Sequence, residues 1–566
     1  MNRAIFVTIF LLVCPCWVNF NQVLLFAQNQ TSVADTTKKP DQKLTPASEP
    51  APLELPDVLI YGSDRSLRIS GDKLTQPWDD AKAIAPRISY QPLTDKSELA
   101  DRKNHVQSST RAIRSRTLAQ IDVGRFQKFN IVAGHWQEIR DYHFGFHGTY
   151  NRSSGQYQNS QFAQGALHAQ VGFPIHPQVS FASEVDWHRA NYGLYGSIID
   201  RLHRTKTGGA LTLESQWTID TNRSAAFDFT YQQTNYRDRN EDSYNRNGLQ
   251  RHIELAVIYQ THYWGIPAQW RAGYQFQMLR PDGTDSSNTK NYFYLGATCS
   301  YTVKHYVTIQ PSLLFENLDV NDSLSVYQLW PSLELVAMPM SQLGLRLKFS
   351  KELSPYNYAE LIEKNPFLSL QTMFVPMRNE LELRLGAEFI PAPKLSLTAE
   401  LIRQNWRSFG YWTRDAESGF MQLGAIDRVR LTTLKAQGRF RASPRITIDA
   451  GVQLQFEEIH HDSTAHFGDR IPYLERLRAP LNCEYQIDRS TKAQLSLTIT
   501  SPRYADRNNR KKLDGLALVS ARCDKQVLKN IAAYAEINNL FNQKYQLWEN
   551  YPSLGFYMEI GLKGNW

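Results

Sequence analysis

From about Thr117 to its last residue the chain alternates apolar and polar residues with a period of two. Leu381, Leu383, Leu385, Ala387 and Phe389 interleave with Glu380, Glu382, Arg384, Gly386 and Glu388. Leu395, Leu397, Ala399 and Leu401 interleave with Ser396, Thr398 and Glu400. Ile446, Ile448, Ala450, Val452, Leu454 and Phe456 interleave with Thr447, Asp449, Gly451, Gln453, Gln455 and Glu457. Period two puts each set on one face of a strand. The polar face carries charges that a packed sandwich core does not accept, whereas a barrel with lipid outside and water inside accepts both faces.

The connections point the same way. Short turns fall at Phe173–Pro177, Asp220–Arg223, Val303–His305, Pro391–Pro393 and Ser443–Pro444. Longer polar stretches fall between them: Arg237–Asn247, Arg280–Lys290, Glu352–Met377, Asn405–Leu423, His460–Arg470 and Ala505–Lys512. Such alternation is expected of hairpins with short periplasmic turns on one rim and long exterior loops on the other. The expectation is an all-β chain: a transmembrane antiparallel β-barrel of about 22 strands, within 20–22, over residues 117–566. No fixed repeat supports a propeller or β-helix.

Composition agrees. Aromatic residues make up 12% of the chain, yet mean hydropathy is −0.47. After the first thirty residues no apolar run reaches the length of a membrane-spanning helix. The net charge of +8 is spread over both signs and does not suggest nucleic acid.

Residues 1–27 read as a cleaved signal peptide, with Arg3 before an apolar stretch from Ala4 to Val18 and a small residue, Ala27, at its end. Cys14 and Cys16 raise a lipoprotein alternative, against which stand the bulky Leu12 and Val13. Without the signal, Cys299, Cys483 and Cys523 remain, an odd and scattered set that argues against disulfides and a clustered metal site. Residues 28–56, rich in Thr, Ser, Lys and Pro, read as a mobile periplasmic tether. Asp57, Val58, Leu59, Ile60, Tyr61 and Gly62 form an apolar island, and residues 63–116 are charged and irregular, at most a partial filler of the lumen.

At the C-terminus Phe556, Met558, Ile560, Leu562 and the final Trp566 share one strand face. This ending resembles the signal read by the outer-membrane barrel assembly machinery. Together these features place the chain in the outer membrane of a diderm bacterium, among its lipid and lipopolysaccharide.

Asn539-Leu540-Phe541-Asn542-Gln543-Lys544-Tyr545, then Tyr551-Pro552 and Gly555, resembles the closing motif of TonB-dependent receptors. Ser354-Pro355-Tyr356-Asn357-Tyr358-Ala359-Glu360-Leu361, then Asn365-Pro366-Phe367-Leu368, resembles the long loop before a mid-barrel strand in that family. The usual ending of that loop is altered to Phe374-Val375-Pro376-Met377-Arg378-Asn379-Glu380. The resemblance implies uptake of a nutrient across the outer membrane, with Asp57 to Tyr61 as a TonB box that adds a strand to the periplasmic partner TonB; the other reading of Val58 to Tyr61 is a strand packed in the barrel mouth. The segment before the barrel is far shorter than that family's plug. A passive porin or structural barrel without TonB coupling is the alternative.

No catalytic motif is present: no GxSxG, no HExxH and no phosphate-cradling glycine loop. The chain therefore reads as a non-enzyme without cofactor. Glu457-Glu458-Ile459-His460-His461-Asp462, with His466, is a solvated exterior loop with a metal-like pattern. His460 and His461, with Trp406, Tyr411 and Trp412, are the candidate exterior-loop ligand contacts. The competing reading places Trp406, Phe409, Tyr411, Trp412, Trp548 and Tyr551 in an interfacial aromatic girdle.

Overall fold

A computed structural model describes residues 114–566, apart from residues 140, 242–243, 282–286, 304–305, 322–323, 354–357, 373–374, 376 and 461–469. The expected signal peptide, tether and TonB-box-like segment lie outside the described residues, as do His461, His466 and Ser354 to Asn357.

The strands are β1 Arg114–Gly124, β2 Lys128–Ile139, β3 Tyr142–Ser153, β4 Phe162–His176, β5 Val179–Gly193, β6 His203–Asp220, β7 Arg223–Arg239 and β8 Asn245–Tyr263. β9 is Ile266–Pro281, and β10 is Asn288–Cys299 with its continuation Tyr301–Val303. They continue as β11 Val307–Val320, β12 Leu324–Met340, β13 Leu343–Leu353, β14 Arg378–Ala392, β15 Leu395–Arg414 and β16 Met421–Ser443. The last are β17 Ile446–His460, β18 Leu477–Gln486, β19 Thr491–Thr500, β20 Leu516–Leu528, β21 Ile531–Asn538 and β22 Tyr557–Asn565. Every neighbouring pair is antiparallel, and β22 pairs back onto β1, giving the expected closed 22-strand barrel. The seam is tied further by reciprocal backbone bonds between Thr117 and Trp566, of 2.8 and 2.9 Å. Closure leaves the 22-strand sheet without a free edge to pair with another chain.

Alternation sorts the side chains as the sequence suggested. Leu385, Phe389, Leu397, Val452, Phe456, Leu495, Met558, Ile560 and Leu562 are among the many large apolar residues exposed on the outer wall. An apolar surface this extensive suits hydrocarbon rather than water. The inner wall carries ion pairs: Arg346 with Glu334 at 2.8 Å, Arg384 with Glu382 at 3.1 Å and Lys492 with Glu484 at 2.8 Å. The three described cysteines are free and share the parity of outward residues such as Leu295, Leu481 and Leu495, so none contributes a thiol to the lumen.

One rim holds the short turns after β2, β4, β6, β8 and every second strand onward; the other holds the longer loops, with three-residue connections only after β1 and β11. The stretch expected as a loop over Asn405–Leu423 is shorter than that: β15 runs to Arg414 and β16 begins at Met421. Their pairing continues out to Arg414 and Met421, because Tyr411–Gly424 and Thr413–Gln422 keep the ladder beyond the apolar belt. Trp406, Tyr411 and Trp412 are therefore strand residues.

Candidate functional site: the closed mouth of the barrel

The connection from β13 to β14 folds inward. Within it α1, Tyr358–Lys364, buries Tyr358, Ala359, Leu361 and Ile362, one face of a helix. That face packs on inward side chains of the wall, including Tyr236 of β7, Leu279 of β9, Tyr292 of β10 and Leu318 of β11. Pro366 lacks an N–H and stops the helix. Before it, the Asn365 N–H still donates to Leu361 at 2.8 Å, and the Asn365 side chain accepts from the Phe367 N–H at 3.1 Å.

The segment after the helix is strapped to two strands. The Ser369 N–H donates to the Met421 carbonyl at 2.7 Å, and the Met421 N–H donates to the Phe367 carbonyl at 3.0 Å. From the opposite side Arg204 of β6 donates through Nη1 to the carbonyls of Pro366, at 3.0 Å, and Leu368, at 2.7 Å. Its Nε and Nη2 grip both oxygens of Asp238 on β7 at 2.6 Å. Arg204 is 0% exposed and Asp238 1%. A planar fork with five donors is the one side chain that can serve a carboxylate and two carbonyls at once.

Beyond the strap, loops from separate parts of the ring meet over the lumen. Tyr195 of the β5–β6 loop, Phe367 of the β13–β14 loop and Tyr551 of the β21–β22 loop form a buried aromatic group. Phe367 stacks on Tyr551 with centroids 3.5 Å apart, and Tyr195 meets both edge-on at 5.5 and 5.2 Å. Leu194, Leu202, Phe420 and Met421 complete the cluster. Gly196 permits it, since a Cβ there would stand 2.5 Å from the Tyr551 ring. Polar bonds fasten the rim of the cluster: Tyr195 Oη to Pro552 O at 3.3 Å, Ser197 Oγ to Ser418 O at 3.1 Å and Arg414 Nη2 to Gly196 O at 3.1 Å. Burial drives the phenols of Tyr358, Tyr473 and Tyr551 well above the usual tyrosine range, so each remains a neutral hydroxyl. The mouth thus holds a small hydrophobic core of its own.

In sequence the chain matches no family model and none of the curated proteins. In structure it is similar to the copper transporter OprC, with a TM-score of 0.66 at 13% identity, covering 81% of each chain. It is also similar to the siderophore receptor PiuA from Acinetobacter baumannii, at 0.63 and 10% identity, covering 81% of this chain and 82% of that one. A third likeness is to the FrpB iron transporter from Neisseria meningitidis, at 0.64 and 9% identity, covering 84% and 83%. The fold is that of the TonB-dependent receptors.

Within this receptor fold the closing motif proves to be a turn. Asn539 has a positive φ of 51°, a conformation asparagine tolerates better than most residues. Its side chain donates to the carbonyls of Gln543, at 2.8 Å, and Leu554, at 3.1 Å, and accepts from the Gln543 N–H at 2.8 Å. Asn542 accepts from the Phe556 N–H at 2.7 Å, fixing where β22 begins. Met558, Ile560, Leu562 and Trp566 are exposed outward, and Phe556 is half-buried just before the strand.

Among the described residues, the candidate ligand contacts do not assemble into one site. Tyr411 is buried with Ile426, Val429 and Ile471, and Trp406 packs against that group. Trp412 packs against the mouth cluster and meets Trp548 edge-on at 5.5 Å. The girdle reading therefore fails for Trp548 and Tyr551: their loop turns inward, and both join the mouth cluster. His460 ends β17 as an exposed residue. Glu457 is held by Arg470 at 2.7 Å and Arg476 at 3.4 Å, and the described residues contain no metal-ligating cluster.

Sequence reasoning missed Arg204, Asp238 and the meeting of Tyr195, Phe367 and Tyr551. Arg204 and Asp238 read as ordinary polar positions of two alternating strands. Their one signal is that both lie where the strands approach the loop rim, a place where water would have served either residue.

Proposed function

We propose that this chain is an outer-membrane transporter that imports a nutrient across the outer membrane, with TonB supplying the energy. The barrel would lie with its short turns toward the periplasm and its loops outside. It would be exported by a cleaved signal peptide over residues 1–27 and inserted by the barrel assembly machinery, which reads Phe556, Met558, Ile560, Leu562 and Trp566. Asp57, Val58, Leu59, Ile60 and Tyr61 would pair with TonB by strand addition. The barrel itself moves a solute and carries out no chemistry on it.

The observation that supports this best is the folded mouth: a wide barrel whose loops meet in a buried aromatic cluster suits gated import better than steady diffusion. The copper, siderophore and iron carriers that share the fold support the same reading. Replacing Val58 and Ile60 with proline is expected to abolish growth on the imported nutrient while folded barrel remains in the membrane. Undiminished uptake in that variant would remove TonB from the mechanism. A large steady conductance of the wild-type protein in planar bilayers would favour the porin alternative.

A further inference from the structure

Beneath α1 the inner wall carries a contiguous polar patch. It comprises Lys206 of β6, Thr234 of β7, His252 of β8, Gln277 of β9 and Lys290 of β10. Register places these residues side by side. His252 stands directly opposite Gln277, and Gln277 opposite Lys290. Thr234 is paired with Gln250, two residues from His252 on the same strand face. Gly208, two residues from Lys206, is paired with Thr234, and a Cβ there would stand 2.6 Å from the Thr234 hydroxyl. All five have the parity opposite to the exposed outer residues Trp217, Phe227, Val257, Tyr274 and Phe293, so all five face inward.

The patch is buried: Thr234 is 0% exposed, Gln277 2%, Lys290 3%, His252 6% and Lys206 9%. Thr234 Oγ1, His252 Nδ1 and Gln277 Oε1 nevertheless have no hydrogen-bond partner. Three adjacent buried polar atoms left unsatisfied are unusual in a native fold and point to a group that completes them. The nearby carboxylates belong mostly to α1. Glu363, itself exposed, lies 3.9 Å from Lys206 Nζ, and Glu360 is the acidic neighbour of Lys290. On the wall, Glu254 lies 3.6 Å from His252 Nε2, the ring nitrogen opposite the unpartnered one.

We propose that this patch binds an acidic group, a carboxylate or phosphate, carried by the imported solute. Lys206 and Lys290 supply the positive charge, while Thr234, His252 and Gln277 supply hydrogen bonds that orient the group. Glu363 and Glu360 of α1 flank the two lysines while the mouth is closed and leave Thr234 Oγ1, His252 Nδ1 and Gln277 Oε1 without a partner, so the solute's acidic group binds beside α1. The inference extends the import reading by naming a chemical class of cargo.

The test uses the full-length protein purified in detergent, titrated calorimetrically with citrate and, separately, inorganic phosphate at 0.15 M salt. An Arg204→Met background, in which the strap is loosened, ensures access to the patch. Heat-modifiable gel mobility checks that each variant is folded. Saturable binding of at least one probe is expected, and the preferred probe identifies the acid. Lys206→Met and Lys290→Met should each weaken it on the order of tenfold to a hundredfold, the loss of one charge-assisted contact. Lys435→Met, which removes a lysine elsewhere on the inner wall, should leave it unchanged. No saturable binding in either background would overturn the proposal, as would equal weakening by Lys435→Met. Binding without Val58- and Ile60-dependent uptake would sink the import reading and leave the site. Uptake without anion binding would do the reverse.

Discussion

Arg204→Met is the sharpest test of how the mouth is held shut. The substitution keeps the unbranched stem of the side chain and removes four donated bonds: two to Asp238 and one each to Pro366 and Leu368. It strands a carboxylate that is 1% exposed. Breaking one side of a buried ion pair costs about 3–5 kcal/mol. The two orphaned carbonyls would add to this, but the strap can relieve them by swinging into water. That relief is local opening of residues 365–370, so the cost is paid by the strap and not by the barrel. At about 1.4 kcal/mol per decade, 3–5 kcal/mol corresponds to a fall in amide protection of roughly a hundredfold to several thousandfold. Hydrogen exchange should register it at the Ser369 and Met421 amides, whose bonds cross between strap and strand. Amides in the middle of β3 or β16 should keep their wild-type protection. Asp238→Asn added to Arg204→Met removes the stranded charge and should recover part of the loss. Unchanged exchange at Ser369 and Met421 would refute the assignment of Arg204 as the fastening of the strap. An equal loss throughout the barrel would refute the claim that the mouth opens separately.

Other outcomes follow from the same geometry. Tyr551→Ala empties the centre of the mouth cluster at a cost of about 3–5 kcal/mol, and planar-bilayer recordings should then show openings absent from wild type; a trace that stays closed would mean the seal lies elsewhere. Asn539→Ala forfeits three hydrogen bonds at a positive-φ turn, about 2–4 kcal/mol, and should slow the appearance of the heat-modifiable folded band during refolding, a delay that Asn539→Gly should not shorten fully. Leu434→Arg places a charge on the outer wall and should cost about 2–4 kcal/mol in urea titrations in lipid, whereas Gln437→Arg on the inner wall should cost little. Equal effects of the last two would contradict the assignment of faces.

The barrel itself was legible along the chain because its physics is local. A strand that faces lipid on one side and water on the other must alternate, and a spanning sheet must close, so Leu381 to Phe389 and Ile446 to Phe456 announced both strand and environment. Turn length gave the order of the two rims for the same reason. The reach of β15 and β16 beyond the apolar belt was hidden, because pairing there is sustained by a partner strand and not by alternation. The mouth was hidden for a stronger reason. Tyr195, Phe367 and Tyr551 lie far apart along the chain, and nothing in the sequence near each one says that its loop turns inward rather than out into water. Arg204 and Asp238 are polar residues on polar faces, which suits a wet lumen as well as it suits a dry clamp. The alternating sequence by itself determined a closed wall with two solvents. Only the tertiary structure decided what shuts it, since that depends on which loops the ring of strands brings within reach of one another.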